Sequence, residues 1–261
     1  MSVSGAAAPV IFITGASSGL GAALARHYAA RGAVLGLAAR RGAALEALAA
    51  ELPGTCFTYP LDVTDAAALA AAGADFISRA GVPDLVIANA GISVGTLTEE
   101  RADLTAFSRV MVVNVLGVVH TFQPFIAAMK SLKRGRLVGI GSVAGVRGMP
   151  GAGAYCASKA AVSAYLESLR VELHGCGIAV TTILPGYIAT PMTAVNKYPM
   201  PFLLPADVAA RRIIRQIDRG VGYAVVPWQM AIVAKLLRLL PNPLFDSLFS
   251  RAGRKPRDLT L

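Results

Sequence analysis

Short, almost wholly apolar runs alternate along this chain with longer stretches whose apolar residues return every three or four positions. The short runs are 10–14, 33–39, 55–61, 84–89, 135–142 and 178–184, with a last one at 224–227. Their length and lack of polar interruption predict strands; the period of the stretches between predicts helices over 19–31, 43–52, 66–80, 105–129, 155–175 and 205–220. A strand with one wet face alternates polar and apolar residues, whereas a strand covered by helices on both faces does not have to. The expected fold class is therefore α/β: a doubly wound, parallel, Rossmann-like sheet in three layers. No stretch rich in Pro, Gly or Ser divides the chain before Leu184, so residues 1–261 are expected to form one domain.

Composition changes this picture little. Hydrophobic residues make up 55% and charged residues 15%, enough apolar material for a buried core and too little charge for a disordered chain. The three cysteines (Cys56, Cys156, Cys176) are scattered, with no metal-ligand spacing, so no metal site and no disulfide framework are expected. His27, His120 and His174 share no spacing either, and packing or surface roles are expected of them. The opening residues lack the basic segment of a secretory leader, and no run of about 18 uncharged apolar residues stands out as a span, so a cytoplasmic protein is expected. The net charge of +10 is unevenly placed: residues 211–261 hold ten Lys/Arg against three acids, a net of +7.

Three local patterns carry chemistry. Thr14-Gly15-Ala16-Ser17-Ser18-Gly19-Leu20-Gly21 follows a strand and opens a helix. Glycines let the backbone approach a pyrophosphate there, and the helix N-terminus offers unpaired N–H groups to it. A tight turn with no ligand would show the same glycines. At the end of the second strand stand Arg40 and Arg41, with no acid. An acid at this point of a dinucleotide fold binds the ribose 2′-OH of NAD; an Arg accommodates the 2′-phosphate of NADP. Arg40, with Ser18 and Arg41 assisting, is the candidate phosphate ligand; a solvated surface pair is the bland alternative. The third pattern is Tyr155 and Lys159, one helical turn apart and 13 residues after Ser142, which ends a strand. A nearby ammonium is expected to lower the pKa of a phenol, and a phenol so tuned is a general acid/base.

Together these residues resemble the short-chain dehydrogenase/reductase family. Thr14 to Gly21 looks like its cofactor turn, Asn89-Ala90-Gly91 like its fourth-strand motif, and Asp62-Val63 like its adenine-contacting pair. Asn114, Ser142, Tyr155 and Lys159 fall where the family keeps its catalytic tetrad, and Pro185, Gly186, Ile188 and Thr190 where a segment closes on the nicotinamide. The resemblance covers about residues 10–190 and extends more weakly to Pro227. It implies a cofactor site of Gly15, Ser17, Ser18, Gly19, Leu20, Gly21, Arg40, Arg41, Asp62, Val63, Asn89, Ala90, Gly91, Tyr155, Lys159, Pro185, Gly186, Ile188 and Thr190. It implies that Tyr155 is the general acid/base, that Lys159 binds the nicotinamide ribose, that Ser142 polarises the substrate oxygen, and that Asn114 holds a water relaying protons from Lys159. The expected activity is hydride transfer between a nicotinamide cofactor, NADP(H) in preference to NAD(H), and a carbonyl or secondary alcohol. A 3-oxoacyl thioester reductase is one alternative; a non-catalytic NADP(H)-binding regulator is another. The family's habit of pairing long helices implies a homodimer or homotetramer.

Beyond residue 185 the sequence is more individual. Residues 186–205 are expected to form a substrate lid; apart from Lys197 they are uncharged and rich in apolar side chains and proline, which favours a lipid- or steroid-like substrate. Residues 228–261 are expected to form a basic, amphipathic, helical extension, with Lys235 and Arg238 on one face and Met230, Val233, Leu236, Leu237 and Leu240 on the other. It would cap the pocket or join subunits, or lie on an anionic membrane surface. Nothing in it resembles a groove-reading motif for nucleic acid.

Overall fold

The computed structural model describes residues 8–257. The first seven residues, where a leader would fall, and the last four of the extension lie outside the described residues. The elements run β1 (Val10–Thr14), α1 (Gly19–Ala29), β2 (Val34–Ala39), α2 (Gly42–Glu51), β3 (Cys56–Pro60), α3 (Ala66–Ala80) and β4 (Leu85–Ala88). Then come α4 (Asp103–Met111), a wide turn (Val112–Leu116), α5 (Gly117–Leu132), β5 (Gly135–Ile140), α6 (Gly153–Glu172) and β6 (Ile178–Pro185). The chain closes with β7 (Ile188–Ala189), α7 (Pro191–Ala194), β8 (Leu204–Pro205), α8 (Ala206–Asp218), β9 (Tyr223–Val226), α9 (Trp228–Leu239) and α10 (Asn242–Phe249).

Seven strands form one parallel sheet in the order β3-β2-β1-β4-β5-β6-β9. From β1 the chain winds outward through β2 and β3, then returns to place β4 on the other side of β1. That reversal opens a crevice beyond the carboxyl ends of β1 and β4. Two apolar layers cover the sheet. Leu24 and Tyr28 of α1, Leu45 and Leu48 of α2, and Ile213 and Ile217 of α8 fill one face. Phe76 of α3, Phe122 and Phe125 of α5, and Leu166 of α6 fill the other. On that second face Phe12 sits 5.0–5.7 Å, ring to ring, from Phe125, Phe76 and Tyr59. Gly36 makes room for this stack: a Cβ there would stand 2.5 Å from the Phe12 ring.

Three expectations need correction. The helix expected over 105–129 starts at Asp103 and runs to Leu132, interrupted by the wide turn. This Asp103–Leu132 span is apolar and long enough to cross a membrane by length and composition, because residues 110–129 carry no charge. Here its inner face is core, with Val110, Phe122, Phe125 and Met129 fully buried. Leu236, expected to share one apolar face of α9 with Met230, points away from it: Met230 is buried and Leu236 is 63% exposed. The 186–205 segment, expected as a lid, holds regular structure at both ends. β7 pairs in parallel with β8, and the Thr190 hydroxyl and Thr193 side chain cap α7, so both ends of the 186–205 segment are tied.

Candidate active site and cofactor groove

The crevice at the strand ends is a groove of about 320 Å³. Its floor is the turn between β1 and α1. Gly15 and Gly19 take φ of 67° and 53°, the left-handed region that other residues adopt at a cost. A Cβ on Gly15 would stand 2.7 Å from Ala90 Cα, and one on Gly21 2.3 Å from the Gly15 carbonyl oxygen. The backbone is thus packed too tightly for side chains and leaves the N-terminus of α1 open. Asn89 fastens this turn to the end of β4: its Nδ2 donates to the carbonyls of Thr14 (3.0 Å) and Gly15 (3.2 Å). The Thr14 hydroxyl accepts from the Asn89 backbone N–H at 3.2 Å. Arg41 reaches over the turn and donates to Ser17 Oγ at 3.1 Å, beside Arg40 and Ser18 on the same wall.

At the other end of the groove Ser142 ends the β5 exit, and its Oγ accepts from the Ala144 N–H at 3.1 Å. Tyr155 stands near the start of α6, half-buried, with Lys159 buried one turn on. Lys159 Nζ donates to the Ile140 carbonyl at 2.8 Å and lies 5.9 Å from the Tyr155 ring centre. Burial pushes the Lys159 pKa down to about 8. It pushes the Tyr155 phenol up from its ordinary value, with the Ser142 hydroxyl acting the other way. The phenol is therefore shifted opposite to the expected direction: the ammonium is spent on Ile140, and desolvation outweighs everything else around the ring.

Most of the candidate cofactor residues line this one groove: Gly15, Ser17, Ser18, Gly19, Leu20, Arg40, Arg41, Asp62, Val63, Asn89, Ala90, Gly91, Tyr155, Lys159, Pro185, Gly186, Ile188 and Thr190, with Ser142 among them. Two candidates do not. Gly21 lies beneath the turn, where only its missing Cβ matters. Asn114 sits fully buried in the wide turn between α4 and α5. Its Oδ1 accepts from Ile92 N (2.8 Å), and its Nδ2 donates to Ile92 O (3.0 Å) and Ser158 Oγ (2.9 Å). Both amide hydrogens are engaged by protein, so the side chain ties the β4 exit to α6. It lies close behind Gly91, where a Cβ would meet Asn114 Oδ1 at 3.2 Å and Lys159 Nζ at 3.5 Å. Ser158, Ile92 and the α7 residues Met192 and Thr193 complete the site without having been singled out in the sequence. Among the described residues no three His, Cys, Asp or Glu side chains converge as metal ligands would.

The C-terminal arm also reaches this end of the molecule. The Gly95 N–H donates to the Pro256 carbonyl at 2.8 Å, and a Cβ on Gly95 would stand 2.2 Å from the Lys255 carbonyl oxygen. Lys255 Nζ donates to the Met192 carbonyl at 2.9 Å, and Gly253 packs against Tyr198. Arg257 pairs with Asp103 at 2.9 Å and Glu100 at 3.3 Å, and its guanidinium holds the Asp103 carboxyl below the usual range. The arm thereby joins the loops after β4 and β6 beside the groove. No local signal announces this arrangement, because Asp103 and Arg257 are 154 positions apart.

A buried ammonium carries a cost to stability. Lys159 has its ordinary pKa of 10.5 when unfolded and about 8 when folded, so the unfolded chain holds the proton more tightly. Below pH ~8 this penalty is constant; it shrinks as pH rises from ~8 to ~10.5. Lys159→Met is accordingly expected to raise the Tm of the cofactor-free protein by a few degrees at pH 7 while abolishing turnover. Thermal melts across this pH range test the point: the wild type should gain on the variant above pH ~8. A constant difference would contradict it.

A groove at the switch point of a parallel sheet, floored by a glycine turn and ended by Ser, Tyr and Lys, defines a dinucleotide-binding oxidoreductase. Comparison with known proteins narrows the class. The short chain dehydrogenase family model matches residues 9–199, and the chain belongs to that family. It is 42% identical over 238 residues to an "Uncharacterized oxidoreductase" of Myxococcus xanthus, covering 90% of this chain and 94% of the relative. It is 35% identical over 270 residues to "Dehydrogenase/reductase SDR family member 7B" of Bos taurus, covering 95% and 82%. Among solved structures, a short-chain dehydrogenase from Streptomyces avermitilis superposes with a TM-score of 0.79 at 25% identity, covering 94% of this chain and 95% of that one. A 3-oxoacyl-[acyl-carrier protein] reductase from Brucella melitensis with bound NAD gives 0.74 at 30%, covering 84% and 89%. The protein is an NAD(P)-dependent enzyme of this family.

Proposed function

We propose that the enzyme uses NADP(H) to interconvert a ketone or aldehyde and its alcohol on an apolar substrate, with Tyr155 as the proton donor and acceptor. The observation that carries the cofactor choice is the cationic end of β2, where Arg41 reaches Ser17 and no acid stands to bind a free 2′-hydroxyl. The 2′-phosphate would lie among Ser17, Ser18, Arg40 and Arg41, with the pyrophosphate over the glycine turn. When bound, the nicotinamide supplies or takes the hydride. The chain's own residues handle the proton and the geometry. Ser142 would hold the substrate oxygen beside the Tyr155 phenol, which donates its proton in reduction and recovers it in oxidation. Lys159 would bind the nicotinamide ribose; its ammonium, drawn from Ile140 toward bound ribose and phenol, would then lower the phenol's pKa. Asn114 would position α6 and the β4 exit around it.

Phe202, Leu203 and Met192 in the lid, with Tyr187 and Tyr198 ring to ring at 6.3 Å, support an apolar substrate. The likeness to a 3-oxoacyl-[acyl-carrier protein] reductase keeps a thioester-linked 3-ketone as the second reading. Assays of NADPH oxidation with steroid-like and long-chain ketones against 3-oxoacyl thioesters separate the two. Turnover of the free apolar ketones is expected; activity confined to thioesters, or to small polar carbonyls, would overturn the substrate assignment. Self-association through the long helices is supported by exposed Leu104, Phe107 and Leu116 on the 103–132 span and Val171 on α6.

A further inference from the structure

We propose that the outer face of α9 and α10 seats the protein on an anionic lipid bilayer, its apolar side chains entering the acyl boundary and its flanking cations meeting headgroup phosphates.

Trp228, Ile232, Leu236 and Leu239 fall at spacings of four, eight and eleven residues, so they form one stripe within about 80° of the α9 circumference. They are 65%, 52%, 63% and 76% exposed. The helix cannot roll to hide them. Its opposite face is already spent: Met230 and Ala234 pack on Val143 and Leu184, and Met230 lies against Gly186. On α10 Phe245 is buried while Leu244 and Leu248 are exposed, at 56% and 66%. Arg147 fixes both helices. It donates to the Leu237 carbonyl at 2.6 Å, to the Leu240 carbonyl, and to Asn242 Oδ1 at 2.7 Å, and its guanidinium lies 3.9 Å from the Phe245 ring centre. The outward leucines are therefore held outward by the fold.

Charge selects the occupant. Lys235, Arg238, Arg251 and Arg254 are all exposed on these helices and just beyond them, against one acid, Asp246, among the described residues there. A second copy docked by two-fold symmetry would set this cationic surface against itself. An apolar stripe flanked by Lys and Arg on a helix lying flat matches the interface of a bilayer bearing anionic headgroups. Because α9 packs on Gly186 at the groove's substrate end, such docking would turn that end toward the lipid. This suits an apolar substrate but does not depend on it.

The chain has one tryptophan, Trp228, and it lies in the stripe. Its emission is the direct probe, with no cofactor or substrate needed. Vesicles of phosphatidylcholine with phosphatidylglycerol are expected to blue-shift the emission and to sediment the protein; phosphatidylcholine alone should do so far less. Raising NaCl from ~50 to ~500 mM should weaken binding several-fold. Leu236→Glu/Leu239→Glu, at two exposed positions, should lower partitioning at least ~10-fold with far-UV circular dichroism unchanged. Lys235→Ser/Arg251→Ser should reduce binding to anionic vesicles only. The proposal fails if anionic vesicles leave the emission unmoved, or if the Leu→Glu variant binds as the wild type does. It fails also if light scattering shows a dimer that this variant dissociates.

Discussion

Tyr155→Phe is expected to lower kcat by about 10²–10⁴-fold, the usual contribution of a positioned general acid. NADPH affinity should be nearly unchanged. The substitution removes one oxygen and keeps the ring that packs at the start of α6, so fold and groove should persist. What is lost is the proton that must reach the substrate oxygen as the hydride arrives. Ser142 still offers a hydrogen bond, but an aliphatic hydroxyl is a poor proton source near neutral pH. Initial rates of NADPH oxidation, with cofactor fluorescence to confirm binding, measure both quantities. Retained turnover would mean that the proton comes from elsewhere, and the neighbouring phenols of Tyr187 and Tyr198 would then be the first to test.

The second large effect concerns cofactor choice. Arg40→Ala/Arg41→Ala is expected to weaken NADPH binding by about 10²-fold or more, since a hydrogen bond to a charged group contributes roughly 1.5–3 kcal/mol and two such groups are removed. NADH lacks the 2′-phosphate, so its affinity should change little. That second titration matters because Arg41 also holds Ser17. If the double substitution merely loosened the glycine turn, both cofactors would suffer alike. Parallel losses would therefore remove the 2′-phosphate assignment while leaving the fold and family untouched.

Much of this molecule was legible from its sequence because the signals are local. A parallel sheet covered on both faces writes itself as apolar runs, and all seven expected strands pair in parallel. The glycine turn, Asn89, Ser142, Tyr155 and Lys159 could be placed because each stands at a strand end or one helical turn from a partner. What escaped depends on distance and solvation. The sign of the Tyr155 shift follows from how deeply the ring is buried and where the Lys159 ammonium points, neither of which a Tyr-x-x-x-Lys spacing encodes. Asn114 was expected to hold a water relaying protons from Lys159; that its side-chain amide ties Ile92 to Ser158 behind the groove is a long-range pairing no spacing encodes. Leu236 faces outward because Met230 and Ala234 won the inner face of α9, a competition that a helix apolar on several sides leaves open. Arg147 and the Arg257–Asp103 pair join segments about 90 and 154 positions apart, with no pattern to connect them.

The central claim is a site built for NADP(H) at the end of β2, serving a Tyr155-based hydride-transfer enzyme. A side-by-side titration of the purified wild-type protein with NADPH and NADH, followed by cofactor fluorescence, tests it most directly. Binding of NADPH at least ~10-fold tighter than NADH is the predicted result. Equal or tighter binding of NADH would contradict it, and would leave Arg40 and Arg41 as solvated surface charges.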